Sequence, residues 1–105
     1  MIVNGRAVEF SKQFLDELFA IQEYLSFYSK NYANFMSEVI DFAADTISPQ
    51  PFAFPEYDIL PTEEKIYRKA VFRKNYILIY EVIATKIEFL LIYHSSRDPD
   101  SIVLK

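Results

Sequence analysis

Apolar positions change their spacing along this chain of 105 residues, and each change predicts an element. Val3, Val8 and Phe10 alternate loosely with polar Asn4, Arg6 and Glu9, which predicts a short first strand over residues 3–10. Ser11 then stands where a helix N-cap is expected, since a serine hydroxyl can accept from an amide of the first turn. Phe14, Leu18, Ile21, Leu25 and Tyr28 follow at helical spacings, with Leu15 widening the stripe and Lys12, Asp16, Gln22, Ser26 and Lys30 placed off it. This is the period of an amphipathic helix. After the break SKNYAN, Tyr32, Phe35, Val39, Phe42 and Thr46 form a second stripe flanked by Met36, Ile40, Ala43 and Ile47. That second helix has to end before Pro49, because the residue ahead of a proline avoids the α region.

The stretch SPQPFAFPEYDILP holds Pro49, Pro51, Pro55 and Pro61, too many missing amides for a helix or a central strand. It reads as a connector held down by Phe52, Phe54 and Tyr57. From Lys65 onward the period drops to about two and β-branched and aromatic residues dominate, giving three strands in KIYRKAVFRK, YILIYEVI and KIEFLLIYH. The links at Lys74–Asn75 and Ala84–Thr85 are short enough for hairpins, so the three strands form an antiparallel meander. Neither Ala84 nor Thr85 favours a positive φ, so the second link should need three or four residues. In the last strand, strict alternation puts Ile87, Phe89, Leu91 and Tyr93 on one face and Glu88, Leu90, Ile92 and His94 on the other. The expected architecture is α+β in the order β-α-α-β-β-β, with a four-stranded, mostly antiparallel sheet. Both helices should pack on one face and leave the other partly open.

Length and composition narrow the function classes. A chain of 105 residues fits a single domain (residues 1–105) that buries about two-thirds of its unfolded surface. Ten Phe, eight Tyr and one Gly call for a packed aromatic core. The absence of cysteine excludes disulfides, thiolate metal sites and cysteine nucleophiles. No apolar run suits a signal peptide or a membrane span, so the expected location is the cytoplasm, with no membrane partner. The net charge of -4 conceals an asymmetry. Residues 1–64 carry 3 basic and 11 acidic side chains, whereas residues 65–105 carry 8 basic and 4 acidic ones. A cationic second half can meet an acidic or phosphate-bearing partner.

With these elements placed, the C-terminal half resembles the RelE/ParE superfamily of bacterial type II toxin-antitoxin and plasmid-stabilisation toxins. The residues that carry the resemblance are Arg68, Tyr76 with Tyr80, the apolar run from Ile87 to Tyr93, His94, and Arg97-Asp98-Pro99. Taken with the element order, the resemblance spans residues 7–102. It implies a toxin neutralised by a cognate antitoxin, with DNA gyrase or the ribosome as target and a homodimer as a further state. Ribosome-dependent messenger-RNA endonucleases of the superfamily place an arginine after the first tyrosine of the Tyr-x-x-x-Tyr strand and an aromatic or histidine at the C-terminus. Here those places hold Ile77 and the tail SIVLK. The ending His-Ser-Ser-Arg-Asp-Pro is closer to the ParE-like branch, which inhibits gyrase by binding and requires no cofactor or metal. A departure from that branch is charge, because its toxins are commonly basic and this sequence has a pI near 4.9.

The partner-binding candidates are Arg68, Lys69, Arg73, Lys74, His94, Arg97 and Asp98, of which His94 and Arg97 are the only ones with a claim to catalysis. A solitary histidine at a strand end more often holds backbone or a neighbour than it moves protons. Tyr76 and Tyr80 share a face with Leu78 and Val82, so core packing is their expected role. Two alternatives to the ParE-like reading stand: an RNA endonuclease on the ribosome, and a non-toxic interaction domain with the same fold.

Overall fold

In the computed structural model, which describes residues 1–28, 33–98 and 101, five strands and two helices form. They are β1 (Ile2–Val3), β2 (Arg6–Phe10), α1 (Lys12–Tyr28), α2 (Phe35–Asp41), β3 (Tyr67–Phe72), β4 (Tyr76–Val82) and β5 (Lys86–His94). The sheet order β1-β2-β5-β4-β3 puts the last strand at the centre, parallel to β2 and antiparallel to β4. The α+β class and the meander are as expected, but the sheet has five strands rather than four. The extra one arises because Asn4 (φ 50) and Gly5 (φ 84) are both left-handed and fold the first strand into a hairpin, pairing Val3 with Arg6. Two consecutive positive φ angles are what the tightest hairpin turn requires. The link after β4 has no positive φ; three residues separate Val82 from Lys86, and the Ile83 amide donates to the Lys86 carbonyl at 3.0 Å across the turn.

Ser11 is the N-cap that its position suggested. Its Oγ accepts from the Phe14 amide at 3.0 Å and donates to the Leu90 carbonyl at 3.0 Å, so one hydroxyl both starts α1 and ties it to β5. α2 runs from Phe35, and Tyr32 of the expected stripe lies outside the described residues. Over Phe42–Ile47 the helix widens to a five-residue repeat. The Ser48 amide reaches back to the Ala43 carbonyl at 3.0 Å and the Ser48 hydroxyl donates to the same oxygen at 2.7 Å. A serine that can bond back along the helix supports this wide turn immediately before Pro49.

Both helices lie on one face, where Phe14, Leu18, Phe35, Val39, Ala43 and Ile47 pack against Leu78, Tyr80, Val82, Ile87, Phe89 and Ile92. The opposite face is not open. Tyr57, Ile79, Leu91 and Tyr93 form a second buried cluster there, with Leu60, Tyr67 and Ile77 packed on it. The proline-rich connector causes this correction: after a short 3-10 turn at Pro51–Ala53, its residues 55–57 lie along the outer edge of β3, with the Tyr57 amide donating to the Tyr67 carbonyl at 2.8 Å and the Lys69 amide to the Pro55 carbonyl at 3.0 Å. Capping an edge in this way removes unpaired backbone groups from water, and it brings Tyr57 over the sheet. Of the three aromatic residues expected to pin the connector, Tyr57 is buried, Phe54 half-buried and Phe52 exposed.

One irregularity positions the site. Ile79 faces Leu91 and Tyr80 faces Phe89, so Leu90 is an extra residue in β5. The bulge breaks the simple alternation: Ile87, Phe89 and Ile92 face the helices, whereas Leu91 and Tyr93 face the connector. His94, two residues after Ile92, is thereby carried to the α1 side of the sheet, opposite Tyr76 on β4.

Candidate binding site

The end of β5 and the middle of α1 enclose a groove of about 460 Å³ lined by Ala20, Ile21, Tyr24, Tyr76, His94 and Ser96. β4 supplies Tyr76, whose ring meets the His94 ring edge-on with centroids 5.4 Å apart. His94 is exposed, and a tight turn folds the chain back on it: the Ser96 amide donates to Nδ1 at 3.1 Å and the Ser96 hydroxyl lies 2.7 Å from the same nitrogen. An amide hydrogen can only be donated to an unprotonated nitrogen, which assigns the neutral ring's hydrogen to Nε2. His94 therefore offers a donor edge, framed by two tyrosines and two small apolar surfaces. The signal for His94 and Tyr76 was in the sequence. Ala20 and Tyr24 lie off the apolar stripe of α1, and nothing in the local pattern marks them. Ser96 gains its meaning only from the turn that ends β5.

The cations expected to bind a partner do not join this groove. The Arg68 side chain donates to the carbonyls of Lys65 (2.9 Å) and Phe54 (3.0 Å), and its guanidinium lies 4.9 Å from the centre of the Phe52 ring. Lys69 is the next residue along β3 and is half-buried. Arg73 and Lys74 fall in the turn after β3, both with positive φ, and Arg73 pairs with Glu38 of α2 while covering the Phe72 ring. Arg97 reaches Glu17 of α1 at 4.0 Å, and Asp98 is exposed beside it. Arg68, Arg73 and Arg97 are thus engaged by groups of the fold itself. Lys86 shows the same pattern, held by Glu9 at 3.3 Å and Glu88 at 3.9 Å, with Glu9 first among the causes that raise its pKa. Among the described residues, no group of three or more His, Asp or Glu side chains is placed to hold a metal ion.

Residues 8–99 match the family described as ParE toxin of type II toxin-antitoxin system, parDE. The fold is similar to that of YafQ from E. coli, at 21% identity and a TM-score of 0.54, over 87% of this chain and 94% of that one. HP0894 of Helicobacter pylori, a conserved hypothetical protein, aligns at 18% identity and a TM-score of 0.55, over 88% of this chain and 97% of its own. The E. coli DinJ-YafQ complex aligns at 21% identity and a TM-score of 0.55, over 87% and 94% of the two chains. No curated protein matches. At these identities the solved structures speak for the fold.

Proposed function

Starting from a chain that belongs to the ParE toxin family of type II toxin-antitoxin systems, within the RelE/ParE superfamily, we propose that it arrests growth by binding its target, with a cognate antitoxin to neutralise it. By family resemblance that target is DNA gyrase. The observation that carries the binding reading is the lining of the groove, where Ala20, Ile21, Tyr24, Tyr76, His94 and Ser96 include no Lys, Arg, Asp or Glu. Cleaving RNA through its 2′-hydroxyl gathers negative charge on a phosphate, and removing one preorganised donor from such a site typically costs about 100-fold to 1000-fold in rate. A groove of rings and an imidazole edge suits the burial of a protein side chain better than the stabilisation of that charge. Ile77, where an endonuclease of the superfamily has arginine, packs on the connector side of the sheet. The tail residues 102–105, read as lacking an aromatic, lie outside the described residues.

The test is induced expression in a bacterial host. Growth should stop, DNA supercoiling should fail while messenger RNA stays intact, and co-expression of the small reading frame beside the gene should restore growth. The YafQ structure with DinJ is a precedent for such an assembly in this fold. His94→Gln should weaken the arrest through lost contacts rather than abolish a chemical step. Codon-positioned cleavage on translating ribosomes, lost in His94→Gln, would overturn the binding reading in favour of an RNA endonuclease. Undisturbed growth at high soluble expression would leave the non-toxic interaction domain.

A further inference from the structure

The outward face of α1 is unusual for a helix that already buries Phe14 and Leu18. Phe27 is 91% exposed, Tyr24 64% and Phe19 54%, on the side where an amphipathic helix normally turns polar residues to water. Each ring left out forgoes about 1.5–3 kcal/mol of burial, so the patch is costly unless something covers it. Asp16, Phe19, Glu23 and Phe27 follow one another at spacings of three, four and four, forming a ridge in which acid and ring alternate. Lys12 Nζ pairs with Asp16 at 2.7 Å at one end of this ridge. Among the described residues no ion pair engages Glu23, which stands between the two phenylalanines.

A carboxylate flanked by ring faces is chemistry that receives a lysine or arginine, through an ion pair reinforced by cation–π attraction. It suits a second copy of this chain less well, because the ridge's own cation, Lys12, is already paired with Asp16 and the ridge offers Glu23 of a second copy no other base. The ridge is also continuous with the candidate site. Ala20 and Tyr24 line both the His94 groove and a shallow depression of about 450 Å³ shared with Glu23, Ser26 and Phe27. We propose that this ridge is the docking surface for the antitoxin, through a segment in which Lys or Arg alternate with apolar residues. By covering Tyr24, that segment closes the groove over His94. The inference rests on the toxin reading and adds the partner's chemistry: its docking segment is cationic, although the sequence's basic second half suggests an acidic one.

The experiment uses this chain purified with the polypeptide of the adjacent small reading frame. Phe19→Ser with Phe27→Ser should weaken the complex roughly 100-fold and Glu23→Lys roughly 10-fold, while Val71→Ser, an exposed control on β3, changes nothing. Wild-type affinity should fall with added salt, and less steeply in Glu23→Lys. Circular dichroism melts of the free variants exclude misfolding, because Phe19, Glu23 and Phe27 are all exposed. His94 is the only histidine, so its carbethoxylation by diethyl pyrocarbonate, followed by mass spectrometry of this chain, reads the groove directly. The rate should drop by roughly 10-fold or more in the complex, since a covered side chain reacts only when the partner opens or leaves. Wild-type affinity in the ridge variants would overturn the docking surface and leave the toxin reading standing. Unchanged His94 reactivity in a formed complex would overturn the closure. If wild-type chain neither binds the polypeptide nor has its arrest relieved by it, the toxin reading falls and this inference with it.

Discussion

Tyr80 shows how a family motif residue can be used for architecture. It is fully buried in the core between α1 and the sheet, and its hydroxyl donates to the Pro51 carbonyl at 2.7 Å. Arg68, facing it on β3, holds the Phe54 and Lys65 carbonyls, so the two side chains together fasten the start and the end of the connector. Tyr80→Phe keeps the ring and strands a buried carbonyl, a loss of about 1–3 kcal/mol that urea denaturation would register. Burial also pushes the Tyr80 phenol up from its ordinary 10.0, and Tyr67, hydrogen-bonded to Glu81, and Tyr93, desolvated, move the same way. Below about pH 10 these phenols are protonated in both states; above it the unfolded chain releases its protons first, so stability falls as pH rises towards the folded values. Between about pH 8 and pH 11 the wild type should lose stability, and Tyr80→Phe should lose less. A parallel decline in both would show that Tyr80 does not carry the effect. Core packing of Tyr80 was legible from its period-two neighbours, whereas Tyr76 packs only partly on the core and also lines the groove. The internal task of Arg68 was not legible, because its acceptors are carbonyls at positions 54 and 65 that only the folded connector presents.

At the scale of elements, the turns separate what local sequence encodes from what it tolerates. Asn4-Gly5 carries the residue types that a left-handed pair needs, so the extra hairpin was available to a reading of the dipeptide, although the flanking apolar pattern reads as one strand. Arg73 and Lys74 adopt the same region without such a signal, at φ 52 and φ 65. A non-glycine residue there costs roughly 1–2 kcal/mol, more than the roughly 0.5–1 kcal/mol of chain entropy that glycine brings to the unfolded state. Lys74→Gly should therefore raise the stability by a few tenths of a kcal/mol to about 1 kcal/mol, seen as a higher urea midpoint at unchanged slope. A lower midpoint would show that the unfolded-state entropy wins. The bulge at Leu90 had no signal in KIEFLLIYH, where five apolar residues in a row, Phe89 to Tyr93, suit either face. It is set by the partners, since Ser11 of the α1 cap binds the Leu90 carbonyl and the two clusters each claim one side of β5.

For the whole molecule, the sheet is a layer between two unequal cores, one closed by helices and the other by the proline-rich connector. Tyr57 closes the smaller one, and its replacement by Ala should cost about 3–5 kcal/mol. Limited proteolysis would then cut within residues 49–66 before it reaches α1. Cleavage that still begins elsewhere, with the connector protected, would mean that the backbone pairing to β3 suffices to hold it. Charge follows the same logic of scale. The surplus of bases in residues 65–105 is real in the chain, but Arg73, Lys86 and Arg97 meet Glu38, Glu9 with Glu88, and Glu17 in the fold. What α1 presents to solvent is acidic and aromatic, in keeping with the acidic count of residues 1–64.

Periods of 3.6 and two in the sequence, which record which side chains must leave water together, were enough for the class, the order of the helices and the three-strand meander, and the faces of the helices. The sequence also carried the motif from Arg68 to Pro99 that marks the family. The remainder came from the tertiary structure: the bulge that turns His94 towards α1, the connector that covers the second face, and the ion pairs that engage Arg73, Lys86 and Arg97. Each of these depends on contacts between residues tens of positions apart, as Arg73 with Glu38 or Ser11 with Leu90, and no local period encodes such a meeting. The groove at His94 exists only because α1 and β5, at opposite ends of the chain, pack side by side.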